Sequence, residues 1–141
     1  NYITYLESDN TFRPGLIVSV IDSYEIDIIN SKFNVELSRL NNDKKVIGVI
    51  SKCWEGNMYY INSLGEGGMW VTNINGTIEV GDYITSSEID GYGCKQNSDI
   101  LHNYTVAKCC SVIDWTYVSN TITHYNQLYK RVFIACTYHC G

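Results

Sequence analysis

Short apolar runs, punctuated by glycine, asparagine and aspartate, follow one another along this chain. Leu16-Ile17-Val18-Ser19-Val20 is rich in β-branched residues and predicts a strand. Tyr24-Glu25-Ile26-Asp27-Ile28 alternates polar and apolar positions. That period predicts a second, half-buried strand, with a turn within residues 19–23. Val46-Ile47-Gly48-Val49-Ile50 predicts a buried strand, and its glycine marks the close approach of another backbone. Further strands are expected over residues 69–72, 77–80, 83–87, 104–112 and 132–138. Turns are expected at residues 12–15, 73–76, 81–82 and 91–94, where Pro14, Gly15, Gly76, Gly81 and Gly91 stand. Residues 30–45 are polar, with Asn41-Asn42-Asp43 as a solvated loop and a short helix expected over residues 35–40. No long amphipathic pattern, fixed-period repeat or low-complexity linker interrupts the series. The expectation is an all-β fold of short antiparallel or mixed strands with glycine-rich turns and little helix, one domain over residues 1–141.

Charge narrows the function. The formal net charge is −5 and the 10 basic side chains are scattered, which argues against a phosphate-binding surface and so against nucleic acid as a partner. No run of about eighteen apolar residues offers a membrane span. Asn1-Tyr2-Ile3-Thr4 has neither the basic flank nor the apolar centre of a signal peptide, and no Met opens the chain, so a processed product or an excised piece is expected. A domain of this length does not need covalent staples. The 6 cysteines therefore read as reduced, mostly buried thiols, with Cys109 and Cys110 facing opposite ways in a strand.

Four constellations invite chemistry. Gly65-Glu66-Gly67-Gly68 lacks the Gly-Lys-Ser/Thr ending of a phosphate loop and precedes a strand, so it reads as a turn with unusual backbone angles. Cys136, His139 and Cys140, with Cys109, Cys110 and His102, are soft-ligand types, but no spacing fixes their convergence on a zinc ion. A terminal strand with buried thiols is the expectation, with no metal and no cofactor. His102 with Ser86, Ser87 or Cys94 would supply a base and a nucleophile, yet none follows a nucleophile-elbow pattern. Glu66, Asp82 and Asp99 fall in expected turns, where an aspartate after glycine bonds its own backbone.

The blocks at residues 46–50, Gly65 to Ser87, Gly91-Tyr92-Gly93, and Leu101-His102-Asn103-Tyr104-Thr105-Val106-Ala107-Lys108 together carry a family resemblance. The chain resembles the autoproteolytic, intramolecular-chaperone C-terminal domain of viral and phage fibre, tailspike and neck-appendage proteins. That glutamic-type self-cleaving peptidase family has many relatives in large DNA viruses. The resemblance implies a cut just before residue 1, worked by an Asp at the cut and a Glu three residues on. Those catalytic positions are Asn1 and Thr4 here, both substituted. Neither an amide nor a hydroxyl shuttles protons as a carboxylate does. Glu7 is kept, at a position the family does not use catalytically. Either the cut is lost, or other residues carry it, or Asn1 and Thr4 are introduced changes; an asparagine at the scission point also admits cyclisation through its own side chain. The resemblance further implies a homotrimer that aligns the upstream fibre segment of the same chain, in the virion or in the host-cell cytoplasm during assembly. The alternative is a receptor- or glycan-binding fibre head, with Trp54, Trp70 or Trp115 stacking on sugars.

Overall fold

The computed structural model describes residues 2–6, 14–56 and 58–141, with residues 2–6 and Trp54 described by their backbone alone. Strands hold 52% of the chain, and a 3₁₀ turn at Trp115–Tyr117 is the sole helical element among the described residues, so the fold is all-β. No helix there is long and apolar enough to cross a membrane.

Five strands form a closed barrel in the order β1-β3-β2-β4-β5. They are β1 (Tyr2–Leu6), β2 (Ile17–Tyr24), β3 (Lys32–Leu37), β4 (Val46–Glu55) and β5 (Met58–Asn62). The remaining strands are β6 (Leu64–Thr72), β7 (Tyr83–Ser86), β8 (Gly93–Lys95), β9 (Thr105–Cys109), β10 (Thr121–His124) and β11 (Gln127–His139). They form a sheet in the order β10-β11-β6-β8-β7-β9, and an additional β9–β11 pairing closes five of them into a second ring.

The two rings have one topology. In the first, β1 is parallel to β3, and the pairs β3–β2, β2–β4, β4–β5 and β5–β1 are antiparallel. The second repeats this with β6, β7, β8, β9 and β11 in place of β1 to β5. β10 is an addition on the outer edge of β11. Ring order depends on alternation and turn placement, not on residue identity. The duplication of topology therefore leaves no periodic trace in the sequence.

The cores interpenetrate. Ile17, Val46 and Val49 from the first ring's strands pack with Met69, Val71, Ile84, Val106 and Ile134 of the second. Ile89 and Tyr92, beyond β7, pack with Val18, Val35, Ile50 and Ile61 of the first. Trp70 pins the junction: its N–H donates to Gly15 O at 2.9 Å, and its ring meets Phe133 and Tyr92 edge-on at 5.5 and 6.3 Å.

Several local expectations are corrected. The helix expected over residues 35–40 is absent, because β3 runs through Leu37 with Val35 and Leu37 inside the barrel. The strand expected at residues 24–28 is a hairpin tip. Glu25 has φ +47°, and Asp27 and Ser31 close the loop with side-chain bonds to backbone groups. The alternating isoleucines consequently point to solvent. β2 crosses residues 19–23 without turning, absorbing an irregularity between Val20 and Asp22 as a bulge. The glycine run lies inside strand β6, not in a turn. Its glycines serve packing: a Cβ on Gly67 would collide with the Tyr138 ring, and one on Gly68 with Phe133. Tyr138 crosses this bare strip, and its hydroxyl accepts from Gly68 N–H at 2.9 Å and donates to Gly68 C=O at 2.5 Å. Gly48 behaves as expected, since a Cβ there would lie 2.5 Å from Asn62 O.

Candidate functional site

A cleft of about 210 Å³ opens where the β3–β4 loop meets the second ring, lined by Asn41, Ile74, Asn75, Ser87, Glu88 and Cys94. Each wall is fixed from behind. In the β3–β4 loop, the Asp43 carboxylate accepts from Ser19 Oγ at 2.7 Å and from Lys45 N–H at 2.9 Å. Ser86 Oγ accepts from Asp43 N–H at 2.9 Å and donates to Leu40 O at 2.6 Å, which ties that loop to β7. The turn after β6 closes on Gly76 at φ +103°, with Gly76 N–H donating to Asn73 O at 3.0 Å. Asn75 Nδ2 donates to Lys95 O at 2.7 Å and to Asn97 Oδ1 at 2.8 Å. Ser87 Oγ donates inward to Tyr92 O at 2.7 Å. Glu88 stands at the opening, with Oε1 3.6 Å from Nε2 of His124 on β10. That nitrogen is enclosed and has no hydrogen-bond partner.

This arrangement suits binding better than covalent catalysis. Burial, and secondarily Glu88, pushes the Cys94 thiol up to about 12, so it stays protonated and is a poor nucleophile. Ser86 and Ser87 are committed to backbone groups. His102 Nε2 lies 3.1 Å from Ser98 Oγ, and its ring stacks on Tyr104. His102 is thus held by a hydrogen bond and a ring contact, and it is not joined to Ser86, Ser87 or Cys94.

Of the positions matched to the family dyad, Asn1 lies outside the described residues. Thr4 sits in β1 with its backbone opposite Tyr59 of β5. Glu7 also falls outside the described residues. All six cysteines are free thiols. Cys109 is buried and Cys110 exposed, facing opposite ways. Cys136 lies directly across from Cys109, inside the second ring. Burial holds the Cys136 and Cys140 thiols at about 12. The His139 ring meets Tyr83 edge-on at 5.9 Å. No group of three His, Cys, Asp or Glu is placed to hold a metal ion among the described residues. Asp82 closes its own turn by accepting from Glu79 N–H at 2.8 Å, while Glu66 lies exposed on β6 and Asp99 in an exposed bend. Trp70 is engaged at the ring junction, and Trp115 donates from Nε1 to Ile78 O at 3.0 Å.

Glu88 and His124 escape a reading of the sequence because they fit no motif. Their proximity comes from β10 folding back on β11 through the Tyr125-Asn126 turn. The fold is a two-ring all-β domain with a small polar cleft. Comparison with protein-family models, curated proteins and solved structures returns no match.

Proposed function

We propose that this chain is a C-terminal trimerisation and intramolecular-chaperone module of a viral fibre or spike protein, with autoproteolytic ancestry. The observation that supports an assembly role is the display of large apolar side chains on ordered turns. Ile26, Ile28 and Ile29 are 79%, 98% and 82% exposed at the β2–β3 tip. Val80 and Val112 form a second exposed group lining the Trp115 groove. Large apolar side chains exposed in groups mark a protein contact. A threefold ring requires two different patches on each copy, and the β2–β3 tip and the Trp115 groove supply such a pair. The threefold number itself comes from the family resemblance. Long β-structured shafts pair non-local segments slowly, so a compact terminal trimer that raises local chain concentration has a physical purpose.

The test is to express the upstream fibre segment with and without residues 1–141. Trimeric, protease-resistant shaft is expected only with the domain. Equal yield of trimeric shaft without it rejects the proposal. The ancestral chemistry has its own check: with upstream residues present, Asn1→Asp with Thr4→Glu is expected to restore a cut before residue 1, read by intact mass. A chain that remains full length under folding conditions removes the dyad assignment.

A further inference from the structure

We infer that the cleft between Asn41, Asn75 and Glu88 binds a single neutral sugar-like ring, a pyranoside presenting free hydroxyls. This goes beyond an assembly role and does not depend on it. The argument starts from which groups are left to bind. Both N–H bonds of the Asn75 amide are used, on Lys95 O and Asn97 Oδ1. Its orientation is thereby fixed, and its Oδ1 remains as an acceptor. Asn41 accepts only a weak contact from Cys94 Sγ at 3.7 Å, which leaves its amide N–H groups as donors. Ser87 turns its hydrogen into the protein, and the one Cys94 S–H is divided between Asn41 Oδ1 and Ser86 O, so both residues are buried floor and not donors to a ligand. The Glu88 side chain is 60% exposed, while its neighbour His124 is only 19% exposed and backs it. Ile74 supplies an apolar wall.

This set discriminates among ligands. An anion is repelled by Glu88. A metal cation finds one carboxylate flanked by an imidazole and no three-ligand group among the described residues. A purely apolar guest would strip water from Glu88 without replacing its hydrogen bonds. Neighbouring hydroxyls on a ring both donate and accept, so they satisfy the Glu88 carboxylate, Asn75 Oδ1 and the Asn41 amide together, while ring C–H groups lie on Ile74. The volume of about 210 Å³ falls below the roughly 300–1,000 Å³ of drug-sized pockets, which fits one ring and not a chain of them.

The experiment is a titration of the isotopically labelled full chain, followed by backbone and side-chain amide shifts. The probes are the methyl pyranosides of glucose, galactose, mannose and N-acetylglucosamine, with tetrahydropyran as the ring without hydroxyls. At least one pyranoside is expected to give saturable shifts at Asn41, Asn75 and Glu88, with a dissociation constant on the order of 1 mM. Glu88→Gln is expected to weaken binding roughly tenfold, while Glu66→Gln, on the exposed end of β6, leaves it unchanged. Well-dispersed amide spectra of both variants keep folding out of the comparison. Absence of saturation by every pyranoside up to about 50 mM overturns the inference. So do shifts confined to other residues, or tetrahydropyran binding as well as the sugars.

Discussion

In the first ring the closing strand β1 is shared between two neighbours, over four residue pairs with β5 and two with β3 among the described residues. In the second, its counterpart β6 runs nine pairs along β11 but meets β8 at one. The corners differ as well. β2, β3, β4 and β5 turn theirs through register shifts in three of the first ring's pairings. The second ring has one such shift, between β7 and β9, and bends round a long β6–β11 ladder whose glycines admit Tyr138 and Phe133. One topology is therefore closed by two chemistries: distributed bulges in one half, and a bare strip covered by aromatic side chains in the other.

The comparison is tested most severely by core deletion. Ile61 in the first core and Ile134 in the second are both almost fully buried. Ile61→Ala and Ile134→Ala are each expected to lower stability by about 2–5 kcal/mol. Because the cores share residues across the junction, denaturant melts should show one transition in both variants. Two separated transitions would show that the rings unfold independently.

A smaller effect probes the aromatic cover. Tyr138→Phe leaves Gly68 N–H and C=O without their shared partner, a loss of about 1–3 kcal/mol by denaturant titration. Tyr129→Phe removes a hydroxyl whose bond to Gln127 lies on an exposed surface, and its effect should stay within about 0.5 kcal/mol. Equal effects would mean that the cover does not hold the β6 edge.

Alkaline pH separates the rings by composition. Cys94, Cys136 and Cys140 all belong to the second half, and burial raises each thiol from 9.0 to about 12. Above pH 9 the unfolded chain loses these protons while the folded chain keeps them. Stability is then flat below that point and falls as pH rises from 9 towards 12. Hydrogen exchange should show the second ring loosening first, and Cys140→Ala should make the decline shallower. A flat stability profile through pH 11 would contradict the burial of these thiols.

The smallest expected effect lies at the β10–β11 turn, where Tyr125 and Asn126 have φ +48° and +66°. A bulky residue is strained there. Tyr125→Asn is expected to raise stability by up to about 1 kcal/mol in thermal melts, and a loss would show that the ring contact with His124 outweighs the strain.

Much of this architecture was legible from residues. The β-branched runs at residues 16–20, 46–50 and 132–138 and the turns at Pro14-Gly15 and Asn73–Gly76 fall where the pattern places them. The strand expected over residues 77–80 is irregular chain, and two further failures share a cause. Alternation at residues 24–28 normally signals a half-buried strand, but here it decorates a hairpin tip, where no neighbour supplies the buried face. Glycine at residues 65–68 signals backbone freedom, and its use as space for Tyr138 depends on a strand 70 residues away. The cleft was illegible for the same reason: Asn41, Asn75, Glu88 and His124 come from four segments and have no mutual spacing to read.

The central claim, assembly through exposed apolar turns, is addressed most directly by sedimentation equilibrium of residues 1–141 across a wide concentration range. The account predicts a species of three times 16.0 kDa that reverts to single chains when Ile26, Ile28 and Ile29 are all replaced by serine. A wild-type chain that sediments as a single copy at every concentration would contradict it.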